Sequence, residues 1–354
     1  MDFDARLENL TPMEVRGLPM DDRHGRAVIV AIAKATYAVS KTGVARLAWP
    51  PAPIRIEDEL HEDSPYASIK YPCDWVDEKP GTDVIVVGTA IPPVSAPVTE
   101  MDVSVRVGRL FKAVRVHGPR VYQAAVFGGV APGPSSRLGP TPIRYELAYG
   151  GVDDLGDRVA YEGRNPSGVG FAEQRRKRAG APAPRLTVPT SLADPGRDPA
   201  GFGAIAAHWS PRLELAGTRD EAWRRTRAPV APVDFDPRHN NAAHPDLHSS
   251  TPLRPDEPIE LVGLTPEQVF RFRVPDVEPL FFSRRDGEVR AHDTHLDTML
   301  IDADARRVEL SWRVSLPLPR KAQRLDRIMV RATGELPPSV RELPFSESQS
   351  PEAA

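Results

Sequence analysis

The stretch MDVSVRVGRLFKAVRV, residues 101–116, carries the clearest strand pattern in the chain. Apolar and polar residues alternate over 101–107 and again over 110–116, and Gly108-Arg109 between them can form a turn. Successive side chains of a strand point to opposite faces. The predicted apolar face holds Val103, Val105 and Val107, and the predicted polar face holds Asp102, Ser104 and Arg106.

Strand-like patterns also occur on both sides of this hairpin. A second predicted hairpin joins 27–39 to 44–49 through the turn residues 40–43. The 39 prolines, spread along the chain, disfavour helices because proline lacks the backbone N–H donor. Further extended stretches are predicted at 82–90, 143–148, 259–262, 269–274, 280–283 and 308–316. The sequence therefore predicts a mainly β fold, with antiparallel sheets in a sandwich-like or partly closed arrangement and few short helices.

The composition of the 354-residue chain predicts one large β-rich domain over residues 1–337. Within it, β-rich segments at 10–150 and 251–335 are joined by a long, irregular Pro/Gly-rich centre at 151–250, and they are expected to pack on each other. Residues 338–354 are polar and are predicted to be a disordered tail. The capping-box pattern at 218–221 predicts a helix over 219–227, and 204–209 is a weaker helix candidate.

Charge and cysteine content narrow the classes of function. A net charge of −3 provides no positive field for a phosphate backbone, so we expect no nucleic-acid partner. No apolar run approaches the ~20 residues of a membrane span, and the first residues lack the apolar core of a secretory signal. We therefore expect a cytoplasmic protein with no membrane partner. The single cysteine, Cys73, excludes an internal disulfide framework.

Two histidine-rich segments raise the question of a metal site. The first holds His239, His244 and His248 with Asp234, Asp236 and Asp246, and the second holds His292, Asp293, His295 and Asp297. Imidazole and carboxylate groups bind zinc and related metals, so a metal-dependent hydrolase is an alternative function if either set converges in space. Neither spacing matches a metal-binding signature. The favoured interpretation is a polar loop and a solvated strand edge, and no metal or cofactor is predicted.

The sequence contains no recognisable nucleophile set. Cys73 is followed by Asp74, whose charge raises the pKa of a thiol rather than lowering it. Ser167 lacks the strand–turn–helix frame of a nucleophile elbow, and the glycine-rich stretch 199–204 lacks a phosphate-binding lysine. We therefore predict a binding protein and not an enzyme.

The middle of the chain resembles a known bacterial family. The stretch PAGFGAIAAHWSPRLELAGTRDEAWRRTRAPVAPVDFDPRHNNAAHPD, residues 199–246, is similar to the signature block of the domain-of-unknown-function family numbered 2169. Other stretches that follow the family pattern in order are TDVIVVGTAIPP (82–93), YELAYGGVD (145–153), RNPSGVGF (164–171) and PIELVGLTPE (258–267). The resemblance covers nearly all of residues 10–335.

This resemblance implies a role in type VI secretion. Members act as cytoplasmic adaptors or chaperones that help to load an effector, often one with a PAAR-like module, onto the spike. The implied partners are a secreted effector protein and a spike (VgrG-like) or PAAR-like protein, and the family offers no catalytic residues to carry over. A structural accessory part of the secretion apparatus is a further alternative, and it predicts stable co-assembly instead of release.

The 199–246 block is the predicted docking region. Long ordered loops tend to be functional, and aromatic and arginine side chains dominate interface hot spots. The predicted partner-binding residues are Phe202, Trp209, Arg212, Arg219, Trp223, Arg224, Arg225 and Phe235. The alternative is that the block fills the gap between the two β-rich segments, because core packing is the commoner role of a tryptophan.

Overall fold

The predicted hairpin at 101–116 forms. Its strands, Glu100–Val107 and Leu110–His117, pair antiparallel across the Gly108-Arg109 turn. Gly108 has φ +53°, a conformation that glycine adopts without the steric penalty of a Cβ. The three valines of the predicted apolar face are fully buried, whereas Asp102 and Arg106 are exposed. The structure therefore confirms the hairpin that the alternation predicts, and it also confirms which face points inwards.

The computed structural model describes residues 6–125, 129–173, 178–189, 197–318 and 325–334. The strands are β1 (Arg6–Leu10), β2 (Glu14–Asp21), β3 (Ala27–Val39), β4 (Ala45–Leu47), β5 (Glu59–Leu60), β6 (Ile69–Tyr71), β7 (Thr82–Val87), β8 (Thr89–Ala90), β9 (Glu100–Val107), β10 (Leu110–His117), β11 (Tyr122–Ala124), β12 (Val130–Pro132), β13 (Thr141–Pro142), β14 (Tyr149–Gly150), β15 (Val152–Asp154), β16 (Val159–Tyr161), β17 (Val169–Gly170), β18 (Leu186–Thr187), β19 (His248–Ser249), β20 (Pro258–Val262), β21 (Val269–Arg273), β22 (Val277–Arg285), β23 (Glu288–His292), β24 (Leu296–Asp302), β25 (Arg307–Pro317) and β26 (Leu325–Gly334). The α-helix is α1 (Glu221–Thr226), and 3₁₀ turns occur at Tyr145–Leu147, Arg212–Leu215, Pro237–Asn240 and Pro245–Leu247. The predicted disordered tail, 338–354, lies outside the described residues.

Among the described residues, sixteen of these strands form three larger sheets and the other ten pair in two-stranded sheets. The central sheet has the order β19-β7-β24-β25-β3-β2, with β4 also paired to β3. A five-stranded sheet has the order β18-β10-β9-β20-β21, and a four-stranded sheet has the order β1-β26-β22-β23. Their strand pairs are antiparallel except β7 with β24 and β1 with β26. The mainly β, sandwich-like prediction is therefore confirmed.

The segments 10–150 and 251–335 contribute strands to the same sheets. In the central sheet, β3 and β7 come from the first segment, and β24 and β25 from the second. In the five-stranded sheet, β9 of the first segment pairs with β20 of the second. Hydrogen-bond ladders therefore join the two segments directly.

The main hydrophobic core of the described residues joins the central sheet to the five-stranded sheet. Strand β3 contributes Ala31, Ala33 and Ala35 to it, and β9 contributes its buried valines. Alanine side chains leave room on this face of the central sheet for the larger side chains of the core, which favours dense packing. This face of the central sheet is therefore apolar.

The opposite face of the central sheet carries a layer of buried charges covered by residues 50–80, here named the charged layer. Side chains alternate along β3, so Lys34 and Thr36 point away from the alanine face. The ion pairs of the layer are Lys34–Asp74, Arg55–Glu309, Lys79–Asp83 and Arg313–Asp297. All eight side chains are buried, and each charge has a partner, as burial in a low-dielectric interior requires.

Three local predictions from the centre of the chain need correction. Helix α1 begins at Glu221 because Asp220, not Thr218, is the N-cap and accepts the backbone N–H of Trp223. Residues 204–209 form no helix: Ala204 makes an isolated β-bridge with Ile69, and irregular backbone and a turn follow. The predicted strand 143–148 is a 3₁₀ turn at Tyr145–Leu147, where the side-chain amide of Asn165 takes the place of a neighbouring strand. No helix in the described parts of the chain is long and apolar enough to cross a membrane.

Candidate functional site

A cleft of about 700 Å³ opens where the five-stranded sheet meets the loops of the 199–246 block. Volumes of this size are typical of ligand-binding clefts in proteins. The 3₁₀ turn Pro245–Leu247 forms one wall and contacts both β10 and β7. The apolar lining residues are Tyr145, Val188, Pro199, Ile205, Pro211 and Pro245, and the titratable ones are Lys112, Glu162, Arg164, Asp198, Glu214, His244 and Asp246.

Lys112 lies on the inward side of β10, in line with Val114 and Val116, and is only 5% exposed. Its ammonium lies 3.2 Å from the carboxylate of Asp246 and 3.1 Å from Nε2 of His244. Burial lowers the pKa of Lys112, although the charge of Asp246 opposes that shift. The strand therefore brings a single, largely desolvated cation to the wall of the cleft.

His244 caps the 3₁₀ turn beside this lysine. Its Nδ1 accepts the backbone N–H of Asp246 at 3.2 Å, and the Lys112 ammonium lies within 3.2 Å of both ring nitrogens. Burial and the nearby Lys112 ammonium lower the pKa of His244 to about 4. Near neutral pH the histidine therefore adds no charge to the cleft.

Arg164 also lines the cleft. Its guanidinium donates to both carboxylate oxygens of Glu162, at 2.9 and 3.0 Å, and to Asp198 at 2.9 Å. The hydrogen bond from Arg164 lowers the pKa of Glu162 against the effect of burial. One guanidinium thus joins two loops and is shared between two carboxylates.

Several predicted docking residues pack inside the protein. Phe202 is 0% and Trp209 is 2% exposed, and the Trp209 ring packs edge-on against Tyr145, with ring centres 5.7 Å apart. Arg212 is half-buried and donates to the carbonyls of Ile205 and His239, at 2.5 and 2.8 Å. These three residues pack within the 199–246 block, and Phe202 and Trp209 belong to the main hydrophobic core.

The other predicted docking residues lie on or beside α1. Trp223 is half-buried and donates its indole N–H to the carbonyl of Val230 at 2.8 Å, with the guanidinium of Arg219 over its ring. Arg224 and Arg225 are 71% and 73% exposed and pair only with Glu221 of the same helix among the described residues. Phe235 is half-buried and packs edge-on against His239. The two arginines of α1, Arg224 and Arg225, are therefore available at the surface.

The structure separates the histidines of both predicted clusters. His239 donates Nδ1–H to the carbonyl of Arg212, and His248 contacts Asp83 at 3.0 Å. His292 contacts the hydroxyl of Ser283, and His295 contacts the carbonyls of Lys79 and Gly81. Asp297 is buried and paired with Arg313 in the charged layer. Among the described residues, no group of three or more His, Cys, Asp or Glu side chains is arranged to hold a metal ion.

The two nucleophile candidates have structural partners. Burial raises the pKa of the Cys73 thiol, and the charges of Asp58 and Asp74 raise it further. Ser167 donates its hydroxyl to the backbone carbonyl of Tyr66. These contacts hold loops together and do not activate either side chain.

The sequence did not lead us to predict Lys112 as a residue of the site, or the buried ion pairs of the charged layer. A signal was present for Lys112, because it occupies an inward position in the alternating pattern of residues 110–116. Lys34 likewise interrupts the apolar run of β3. A lysine on the apolar side of a strand indicates either a buried ion pair or a site.

The comparisons place the chain among bacterial proteins. Residues 24–313 match the profile of a family described as "Uncharacterized protein conserved in bacteria (DUF2169)". Comparison with curated proteins and with solved structures gives no match. Because the match covers most of the chain, including the whole 199–246 block, the protein belongs to the DUF2169 family.

Proposed function

We propose that this protein is a cytoplasmic adaptor or chaperone of a type VI secretion system. It binds a secreted effector, including effectors with a PAAR-like module, and helps to load it onto a VgrG-like spike. Family membership supports this proposal, together with the secretion role that the resemblance implies. The protein acts by binding and release, without chemistry on its partner.

The observation that carries the proposal is the cleft at the 199–246 block. Its walls are loops fixed by buried aromatic residues and by the Arg164 ion pairs, so it is pre-formed. A pre-formed cleft binds without the entropic cost of ordering the loops that line it. An adaptor also needs a second surface for the spike, and the exposed arginines of α1 provide a candidate.

The test is affinity capture from a strain with an active secretion system, followed by mass spectrometry. We expect effector and spike or PAAR-like proteins to be enriched, with the effector exchanging on dilution. Stable co-purification with the whole apparatus would favour the structural accessory alternative. Failure to enrich either class would contradict the adaptor proposal.

A further inference from the structure

The cleft has an apolar interior and an acidic lining. Of its titratable residues, Lys112 and Arg164 carry positive charge. Its carboxylates are Glu162, Asp198, Glu214 and Asp246. With His244 neutral, the lining carries a net charge of −2.

The two cations are already paired within the cleft. Arg164 is shared by Glu162 and Asp198, which leaves one negative charge in excess on that wall. Lys112 is paired with Asp246. Glu214 is exposed and has no ion-pair partner among the described residues. The unbalanced charge therefore lies with Asp198 and Glu214, near solvent.

This arrangement selects a particular kind of side chain. The apolar walls, among them Pro199, Pro211 and Ile205, fit an aliphatic stem. The carboxylates at the rim fit a cationic head, and arginine and lysine combine such a stem with such a head. Arginine fits best, because its planar guanidinium can donate to two carboxylates at once. An anionic ligand would meet net repulsion.

We propose that the cleft binds an arginine-bearing peptide segment of the partner, with the stem along the proline walls and the guanidinium at Asp198 and Glu214. The inference rests on the proposed function in one respect, the identity of the protein that supplies this segment. The chemistry of the cleft can be tested without any effector.

The probe is a short fluorescein-labelled glycine–serine peptide that carries arginine, with matched peptides that carry glutamine or glutamate at the same places. Binding is measured by fluorescence anisotropy at several salt concentrations. We expect the arginine peptide to bind about tenfold more tightly than the glutamine peptide, a difference of about 1.4 kcal/mol. The advantage should shrink as salt rises. Equal binding of these two peptides, or tighter binding of the glutamate peptide, would overturn the proposal.

Two variants with opposite expected effects locate the binding. Asp198→Asn with Glu214→Gln should weaken binding of the arginine peptide about tenfold, while Glu57→Gln, an exposed carboxylate outside the cleft, should leave it unchanged. Lys112→Met removes a cation and frees Asp246, so it should tighten binding. Thermal melts check that each variant is folded. An unchanged affinity in the double variant, or weaker binding in Lys112→Met, would overturn the assignment.

The peptide assay and the capture experiment test separate claims, so either can give a negative result without the other. If the peptides bind without selectivity but the effector is still captured, the arginine site is contradicted and the adaptor proposal is supported. Peptide selectivity without effector capture would keep the site and remove the adaptor.

Discussion

Arg313 joins the covering segment 50–80 to the central sheet. Its guanidinium donates to both carboxylate oxygens of Asp297, at 2.6 and 3.0 Å. Its remaining terminal nitrogen donates to the carbonyls of Asp74 and Val76, at 2.8 and 3.0 Å. Both members of the ion pair are buried. Loss of one member would leave a buried charge without its counterpart.

We therefore expect Arg313→Met to lower the free energy of unfolding by about 3–5 kcal/mol, measured by denaturant titration. The control is Arg273→Met on β21, whose partner Asp256 is exposed. An exposed pair contributes about 1 kcal/mol or less. Similar losses in the two variants would show that the charged layer does not stabilise the fold in this way.

His244 predicts a pH dependence of stability. Its pKa is about 4 in the folded protein and ~6.5 when unfolded, so between these values the unfolded chain binds more protons. The free energy of unfolding should therefore be highest above about pH 6.5 and fall as the pH drops towards 4. In His244→Gln this part of the fall, about 3 kcal/mol between pH 6.5 and pH 4, should be missing. Parallel pH profiles of the two proteins in denaturant titrations would contradict the assignment.

At the scale of single elements, Asn165 shapes the wall that holds Tyr145. Its buried side-chain amide donates to the carbonyls of Tyr145 and Tyr149, at 2.8 and 3.0 Å. Gly150 approaches the same residue so closely that a Cβ there would lie 2.1 Å from the Asn165 carbonyl oxygen. The loop and the 3₁₀ turn are thus locked together.

Asn165→Ala should lower the free energy of unfolding by about 2 kcal/mol, because it removes the two hydrogen bonds that the side-chain amide donates to the carbonyls of Tyr145 and Tyr149. Asn165→Asp should cost more, since it places a carboxylate against the same two carbonyls. The exposed Gln123→Ala serves as control and should change stability by less than about 0.5 kcal/mol. Equal stability of Asn165→Ala and wild type in thermal melts would refute this role.

Substitutions on helix α1 can distinguish a role in partner binding from a role in stability. Arg224→Glu together with Arg225→Glu reverses two exposed charges, and surface changes of this kind cost about 0.5 kcal/mol or less each. Partner capture should fall while the melting temperature stays the same. Unchanged capture with unchanged melting would remove this face from consideration, and early melting would indicate a structural role for the helix.

Alternation along the chain predicted the strands well and the buried charges poorly. The pattern of 101–116 determines which side chains of β9 face inwards, because one face is apolar and the other polar. Strand β3 is buried on both faces, so its sequence has no two-residue period to show which face carries charge. Lys34 meets Asp74 only through the tertiary fold, which short-range patterns do not encode. The cleft is likewise assembled from segments far apart in sequence.

At the scale of the whole molecule, the shared sheets predict that neither β-rich segment folds alone. Residues 251–335 contain β24 and β25, which lie between β7 and β3 of the other segment. Expressed separately, this segment should show no cooperative thermal unfolding by circular dichroism, whereas the full chain should. Cooperative unfolding of the isolated segment would contradict the dependence.

Strand β3 is translated long before β25, the strand with which it pairs. Ile32 lies opposite Arg313, so β3 leaves the ribosome about 280 residues before its neighbour. At ~5–20 residues per second, translation takes about 15–60 s to supply that neighbour. During this interval β3 exposes apolar residues and unpaired backbone groups, the conditions under which nascent chains aggregate. We therefore expect the growing chain to be most prone to aggregation in the interval before its last strands emerge.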